Sequence, residues 1–143
     1  MMRKPNHEAE AILLERFGGD SIIALATQDD GIPYVRYVDA FYEDGSFYVL
    51  THAMSSKMQQ IAKNPTVAVA GEWFTAHGAG ENLGWFCKEE NRSIADKMRM
   101  VFAAWIDNGH NNFADKNTCI LRIMLNDGVL FSNGRRFDID FTA

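Results

Sequence analysis

The chain has 143 residues, 47% apolar and 23% charged, with a formal net charge of −5 and a sequence pI of about 5.3. That size and composition fit one folded domain, residues 1–143, with room for a real core. The acidic balance argues against a nucleic-acid binder, which needs a basic face, and no apolar run approaches the roughly 18 residues of a membrane span. The N-terminus lacks the apolar segment of a signal peptide. Cys87 and Cys119 form neither a disulfide framework nor a metal-ligand spacing. The expectation is a cytoplasmic protein with reduced thiols.

In chain order, Asn6 to Phe17 reads as a helix. Asn6 is the N-cap, Glu8 and Glu10 suit the positive end, and Ala9, Ile12, Leu13 and Phe17 recur at helical spacing before Gly18-Gly19. Ser21–Thr27, Ile32–Tyr42 and Phe47–Leu50 read as strands joined by tight turns at Asp29-Asp-Gly31 and Asp44-Gly45. Short turns make this an antiparallel meander and exclude a parallel Rossmann sheet, whose strands need long crossovers. Arg36 sits mid-strand on the same face as Tyr34, Val38, Ala40 and Tyr42. An arginine there needs a partner, either a carboxylate such as Asp39 or Glu43 or an anionic ligand.

The third strand runs into Thr51, and Ser55-Ser-Lys57 then opens a short helix, Met58–Lys63, that Asn64-Pro65 stops. Free backbone N–H groups and the helix dipole make such a start a cradle for an anion. Lys57 adds a full charge, and Ser56 and Gln59 have capping-box spacing. A plain capped helix with a surface lysine has the same pattern.

Thr66–Ala70 is a short apolar strand. In Gly71–Phe86, Trp73, Thr75, Trp85 and Phe86 favour strand while Gly78, Gly80 and Gly84 favour bends or bulges. The glycines do not match a dinucleotide fingerprint, and His77 is either structural or faces a ligand. Lys88–Ile106 reads as one long helix with a stripe of Ile94, Met98, Val101, Phe102 and Trp105. Gly109–Asn117 is a polar loop. Thr118–Leu125 and Val129–Asn133 are strands around a hairpin signal at Asn126-Asp-Gly128. Asn133-Gly134 turns into an edge strand, Phe137–Phe141. Some seven strands limit their exposed edges best by closing into a small barrel.

Four stretches in order, Gly31-Ile-Pro-Tyr-Val-Arg36, Asp44-Gly-Ser-Phe-Tyr-Val-Leu-Thr51, Ser55-Ser-Lys57 and Gln60-Ile-Ala-Lys-Asn-Pro65-Thr-Val-Ala-Val69, resemble the amino-terminal core of a known family. It is the pyridoxamine 5′-phosphate oxidase-like family of FMN-binding split β-barrels. The resemblance implies an antiparallel split barrel, α+β and mainly β, with flanking helices. It implies FMN as cofactor, with Arg36 and the backbone of Tyr37 and Val38 along the flavin, then Leu50 and Thr51, then Ser55, Ser56 and Lys57 at the phosphate. Ser56 stands where many members carry arginine. The resemblance further implies a homodimer with the cofactor between subunits, closed by partner residues for which Trp73, Trp105 and Phe131 are candidates, and a small-molecule substrate.

True pyridoxamine phosphate oxidases carry a carboxy-terminal arginine-x-histidine segment. This sequence ends Arg135-Arg-Phe-Asp-Ile-Asp-Phe-Thr-Ala143 with no histidine after His110. The resemblance is therefore closer to short members and to nitroimidazole-reductase-like ones, some of which place a histidine near the flavin, where His52 follows Thr51. Three functions fit: an FMN-dependent oxidoreductase, a haem-binding protein with His52 or His77 as ligand, and a flavin-binding stress or sensor module. A deazaflavin also suits the fold. No constellation of acid, base and nucleophile names a reaction.

Overall fold

The computed structural model describes residues 6–143. Helix α1 (His7–Phe17) is followed by β1 (Ser21–Asp29), β2 (Ile32–Glu43), β3 (Ser46–His52), α2 (Ser56–Lys63), β4 (Thr66–Gly71) and β5 (Phe74–Trp85). A 3-10 turn (Glu89–Asn91) leads into α3 (Arg92–Val101), then β6 (Thr118–Ser132) and β7 (Arg135–Asp140). The seven strands form one antiparallel sheet in the order β3-β2-β1-β4-β5-β6-β7. Pairing of β3 with β6 closes six of them into a barrel, and β7 extends it from β6. Closure removes most free edges, the outcome expected for this many short strands.

Three hairpins are built by their turn residues. Asp30-Gly31, Asp44-Gly45 and Asn133-Gly134 all have positive φ at both positions, the type I′ geometry that matches strand twist. A fourth hairpin signal does not turn. Asn126-Asp-Gly128 lies inside the single fifteen-residue β6, where none of the three residues has positive φ. The register against β5 shifts between His77 and Gly78, so Asn126 is the extra residue of a β-bulge. Gly128 is needed for packing instead, since a Cβ there would stand 3.0 Å from the Phe74 ring and 3.1 Å from that of Phe141. The two strands expected around this signal are therefore one, which pairs first with β3 and then with β7.

The long helix expected over Lys88–Ile106 is also shorter. Asn91 is buried, and its side-chain amide donates to the carbonyls of Leu83 and Trp85, so the chain enters as a 3-10 turn. The α-helix ends at Val101. The next residues continue as turns in which Trp105 and Ile106 donate to the Phe102 carbonyl. The apolar stripe survives because these turns keep Phe102 and Ile106 buried.

Two cores result. Inside the barrel, Ile23, Leu25, Phe47, Val49, Val67, Val69, Leu121 and Ile123 meet, with α1 across one end through Leu13 and Phe17. Phe17 sits 5.7 Å from the rings of Phe47 and Phe74 and against Gly71, where any Cβ would be 2.6 Å from it. Burial of each such ring contributes roughly 1.5–3 kcal/mol. At the other end α2 inserts Met58 and Ile61, and Gly80 lets Ile61 approach β5. A second core forms outside the barrel wall, where Met98 of α3 and Phe102 just beyond it pack on Phe41 and Ile120. No helix among the described residues is long and apolar enough to cross a membrane.

Candidate functional site

The site is built where the barrel splits. β2 and β3 pair through only three residues each, Phe41–Glu43 with Ser46–Tyr48. Beyond that point β3 continues along β6 and β2 along β1. The edge of β2 from Ile32 to Ala40 that faces away from β1 therefore carries no strand, and its backbone donors and acceptors are open there. Tyr37 and Val38 lie on this stretch. The Tyr37 side chain points outward and is 80% exposed, and Val38 packs on the barrel core, so their backbone is what they offer along the unpaired edge.

Arg36 lies at the end that α2 covers. Its Nη1 donates to the Leu25 carbonyl at 3.1 Å and to Thr27 Oγ1 at 2.7 Å, and its Nη2 donates to Gln60 Oε1 at 3.1 Å. Thr27 in turn donates to the same Gln60 oxygen at 2.5 Å. All three acceptors are neutral. Neither carboxylate considered from the sequence reaches Arg36: Glu43 binds Lys97 at 3.0 Å, and Asp39 forms no ion pair with it. Burial lowers the arginine's pKa from its ordinary value.

Lys57, in the first turn of α2, makes no ion pair or hydrogen bond with any described residue. Its pKa is lowered, first by burial and then by the charge of Arg36. Two cations thus share one place without an anion among the described residues, an arrangement that favours a ligand of opposite charge. Cys119 lies close enough to feel Lys57, yet burial pushes its thiol up to about 11, so it is a protonated wall rather than a nucleophile.

Ser55 is the N-cap of α2, one residue ahead of the expected Ser56, and the helix begins at Ser56 instead of Met58. Its hydroxyl makes no capping bond, and Oγ exposes less than 1 Å² with no partner. A buried hydroxyl left unpaired at a helix start, beside two cations, fits an anion oxygen. Ser56 is exposed, which follows from its place one step round the first turn. Thr51 pairs with Cys119 at the end of β3, on the interior face, whereas Leu50 packs into the second core with Phe41 and Ile120.

The structure therefore brings Arg36, Ser55 and Lys57 to one end of the barrel and sends the side chains of Tyr37 and Leu50 elsewhere. It adds two residues that carried no site role by sequence, Thr27, read as a strand end, and Gln60, read as the start of one of the four family-like stretches. The available signal was their polarity at interior positions, since both are buried. The histidines are held apart from this cluster. His52 Nδ1 accepts from the Met54 N–H and its Nε2 meets Asp115 at 2.9 Å, so both nitrogens serve the fold. His77 lies on the outer wall with Nδ1 2.8 Å from Asp127. No group of three metal-ligating side chains occurs among the described residues. Trp105 stacks on Phe102 and donates to Asp20, while Trp73 and Phe131 are exposed at one rim.

A family model described as pyridoxamine 5′-phosphate oxidase matches residues 9–125. The fold is similar to that of a FAD-binding protein from Mesorhizobium loti, with 19% identity and a TM-score of 0.65 over 82% of this chain and 90% of that one. It is similar to a NimC/NimA family protein from Clostridium acetobutylicum, with 18% identity and a TM-score of 0.66 over 93% and 100%. A heme binding protein from Mycobacterium smegmatis matches at 14% identity and a TM-score of 0.63, over 87% of this chain and 54% of that one. No curated protein matches the sequence.

Proposed function

The chain belongs to the pyridoxamine 5′-phosphate oxidase family, and from that premise we propose that it binds FMN by its phosphate and works as a flavin-dependent oxidoreductase on a small molecule. The observation that carries this reading is the pair of cations, Arg36 and Lys57, with neutral partners or none, beside the unpaired Ser55 hydroxyl. A phosphate dianion supplies the missing charge and acceptor together. The fit is to a phosphomonoester, because two charges meet two cations.

Bound FMN supplies hydride or electron transfer, and the protein positions it. Arg36 and Lys57 neutralise the phosphate, Ser55 donates to one of its oxygens, and the free β2 edge at Tyr37 and Val38 offers backbone groups to the ring. Cys119 and Thr51 wall the site from the barrel interior.

A homodimer belongs to the same reading. The outer faces of β1, β2, β4 and β5 form a row of Val35, Ala26, Ala68 and His77, and beside it a row of Tyr37, Ala24, Ala70 and Thr75. Val35 is 71% exposed and Ile22 67%. The small residues Ala24, Ala26, Ala68 and Ala70 leave a shallow depression in this face, bordered by Val35 and His77, and such an exposed, largely apolar surface beside the split suits a second copy, which then borders the cofactor.

A haem is the second reading. What favours it is His77, whose Nδ1 is held by Asp127 while Nε2 is left for a ligand. The absorption spectrum of purified protein and the mass of the ligand released on denaturation separate the two. A flavin spectrum with the mass of FMN is expected. A Soret band, or the mass of a deazaflavin, overturns the FMN assignment. Bleaching by NADH or NADPH, with recovery on adding a nitro-compound or quinone, separates turnover from a sensor role.

A further inference from the structure

Every acceptor on Arg36 is uncharged, and one of them, Gln60, comes from the helix that also carries Lys57. Gln60 is buried, and its position on α2 is one turn beyond the first residues of the helix. The atom facing Arg36 Nη2 must be the amide oxygen, because a guanidinium only donates. That oxygen takes a second bond from Thr27, so Thr27, Gln60 and Arg36 form a closed triangle of hydrogen bonds that fixes the plane of the guanidinium. A glutamate of nearly the same shape would hold the arginine more strongly, but would consume its charge.

We propose that Gln60 is a positioning and specificity-determining residue of the anion site: it orients Arg36 through a neutral oxygen and so leaves the guanidinium charge for the ligand's phosphate. Thr27 completes the clamp by bridging Arg36 and Gln60. The inference rests on the phosphate-binding reading above. It adds that discrimination for a phosphorylated ligand is set by a side chain that does not itself touch the phosphate.

The test compares wild type, Gln60→Glu and Gln60→Met in titrations with FMN, riboflavin and inorganic phosphate, beside melting curves of the ligand-free proteins. In Gln60→Glu the new carboxylate pairs with Arg36. Ligand-free protein should melt no lower than wild type, FMN affinity should fall roughly tenfold or more, and riboflavin affinity should stay within about twofold, the pattern of a lost charge-assisted contact. The salt dependence of FMN binding should weaken together with it. Gln60→Met keeps the length and removes the acceptor. It should lower both the melting temperature and the preference for FMN over riboflavin.

If Gln60 only packs the barrel end, Gln60→Glu destabilises the ligand-free protein and leaves the FMN-to-riboflavin ratio at its wild-type value, which overturns the inference. The same unchanged ratio in Gln60→Met overturns it independently, should the glutamate variant fail to fold. If wild-type protein binds FMN no better than riboflavin and does not bind phosphate, the phosphate site itself fails and the inference falls with it.

Discussion

The Ser55 hydroxyl gives the sharpest test of the anion site, because ligand-free and ligand-bound proteins should respond in opposite directions. Serine at an N-cap ordinarily accepts a backbone N–H, and its replacement by alanine costs about 0.5–2 kcal/mol. Ser55 makes no such bond, so that cost does not arise. Its oxygen exposes less than 1 Å² and has no partner. An unsatisfied buried group carries a penalty of roughly 1–3 kcal/mol. Taking the low end, Ser55→Ala should stabilise the ligand-free protein by about 1 kcal/mol and raise its Tm by about 3 °C for a domain of this size. In the FMN-bound protein the hydroxyl donates to a phosphate oxygen, and its loss should cost about 1.5 kcal/mol; set against the gain of about 1 kcal/mol in the ligand-free protein, FMN affinity should fall by about 2.5 kcal/mol, roughly 70-fold. Calorimetric melting of both forms, with FMN and riboflavin titrations alongside, reads all four quantities. A ligand-free Tm lowered by a few degrees, with FMN affinity unchanged, would show that Ser55 is an ordinary cap and would refute the reasoning.

Other consequences follow from the same geometry. Arg36→Met loses bonds to Leu25, Thr27 and Gln60 but also removes a partly desolvated charge beside Lys57. Ligand-free stability should change by no more than about 1 kcal/mol while FMN affinity drops about 10- to 150-fold, and denaturant curves showing a loss of several kcal/mol with affinity intact would make Arg36 a structural residue that serves its hydrogen bonds to Leu25, Thr27 and Gln60 instead. Lys57 has a folded pKa below its ordinary value of 10.5, so the unfolded chain binds more protons in the window between the two. Ligand-free stability at that residue should therefore rise with pH up to about 10.5, and phosphate should flatten the rise by raising the folded pKa; a Lys57→Met variant with the same pH slope as wild type would contradict this. Ala68→Arg places a charge in the row of Val35, Ala26 and His77, and light scattering should show a monomer with weakened FMN binding. A dimer of unchanged mass would move the contact to another face.

Much of the chain was legible because its local signals and its tertiary environment agree. Asp-Gly and Asn-Gly turns at 30–31, 44–45 and 133–134 fix three hairpins by backbone sterics alone. The Asn6 cap closes on Ala9 N–H at 2.8 Å, as the residue type requires. The ordered motifs from Gly31 to Val69 carried the family and the barrel, which the family match and the fold bear out. Sequence also marked Arg36 as needing a partner, since a mid-strand guanidinium on a half-buried face does.

What the partner is, only the folded chain decided. Gln60 and Thr27 lie 24 and 9 residues from Arg36, and nothing local in either announces the contact. Asn126-Asp-Gly128 has a hairpin's residues, but the turn is overridden because β6 must run past β3 to reach β7 and Gly128 must admit two aromatic rings. The stripe from Ile94 to Trp105 reads as one helix because turns and helix bury residues at similar spacing, and hydrogen bonds set the stop at Val101. The site follows the same division. Residue types at Ser55, Lys57 and Arg36 give charge and donors, while their convergence on one end of the barrel comes from the point where β2 and β3 part. Local propensity acts over a few residues, and strand divergence is set by registers summed around a closed barrel.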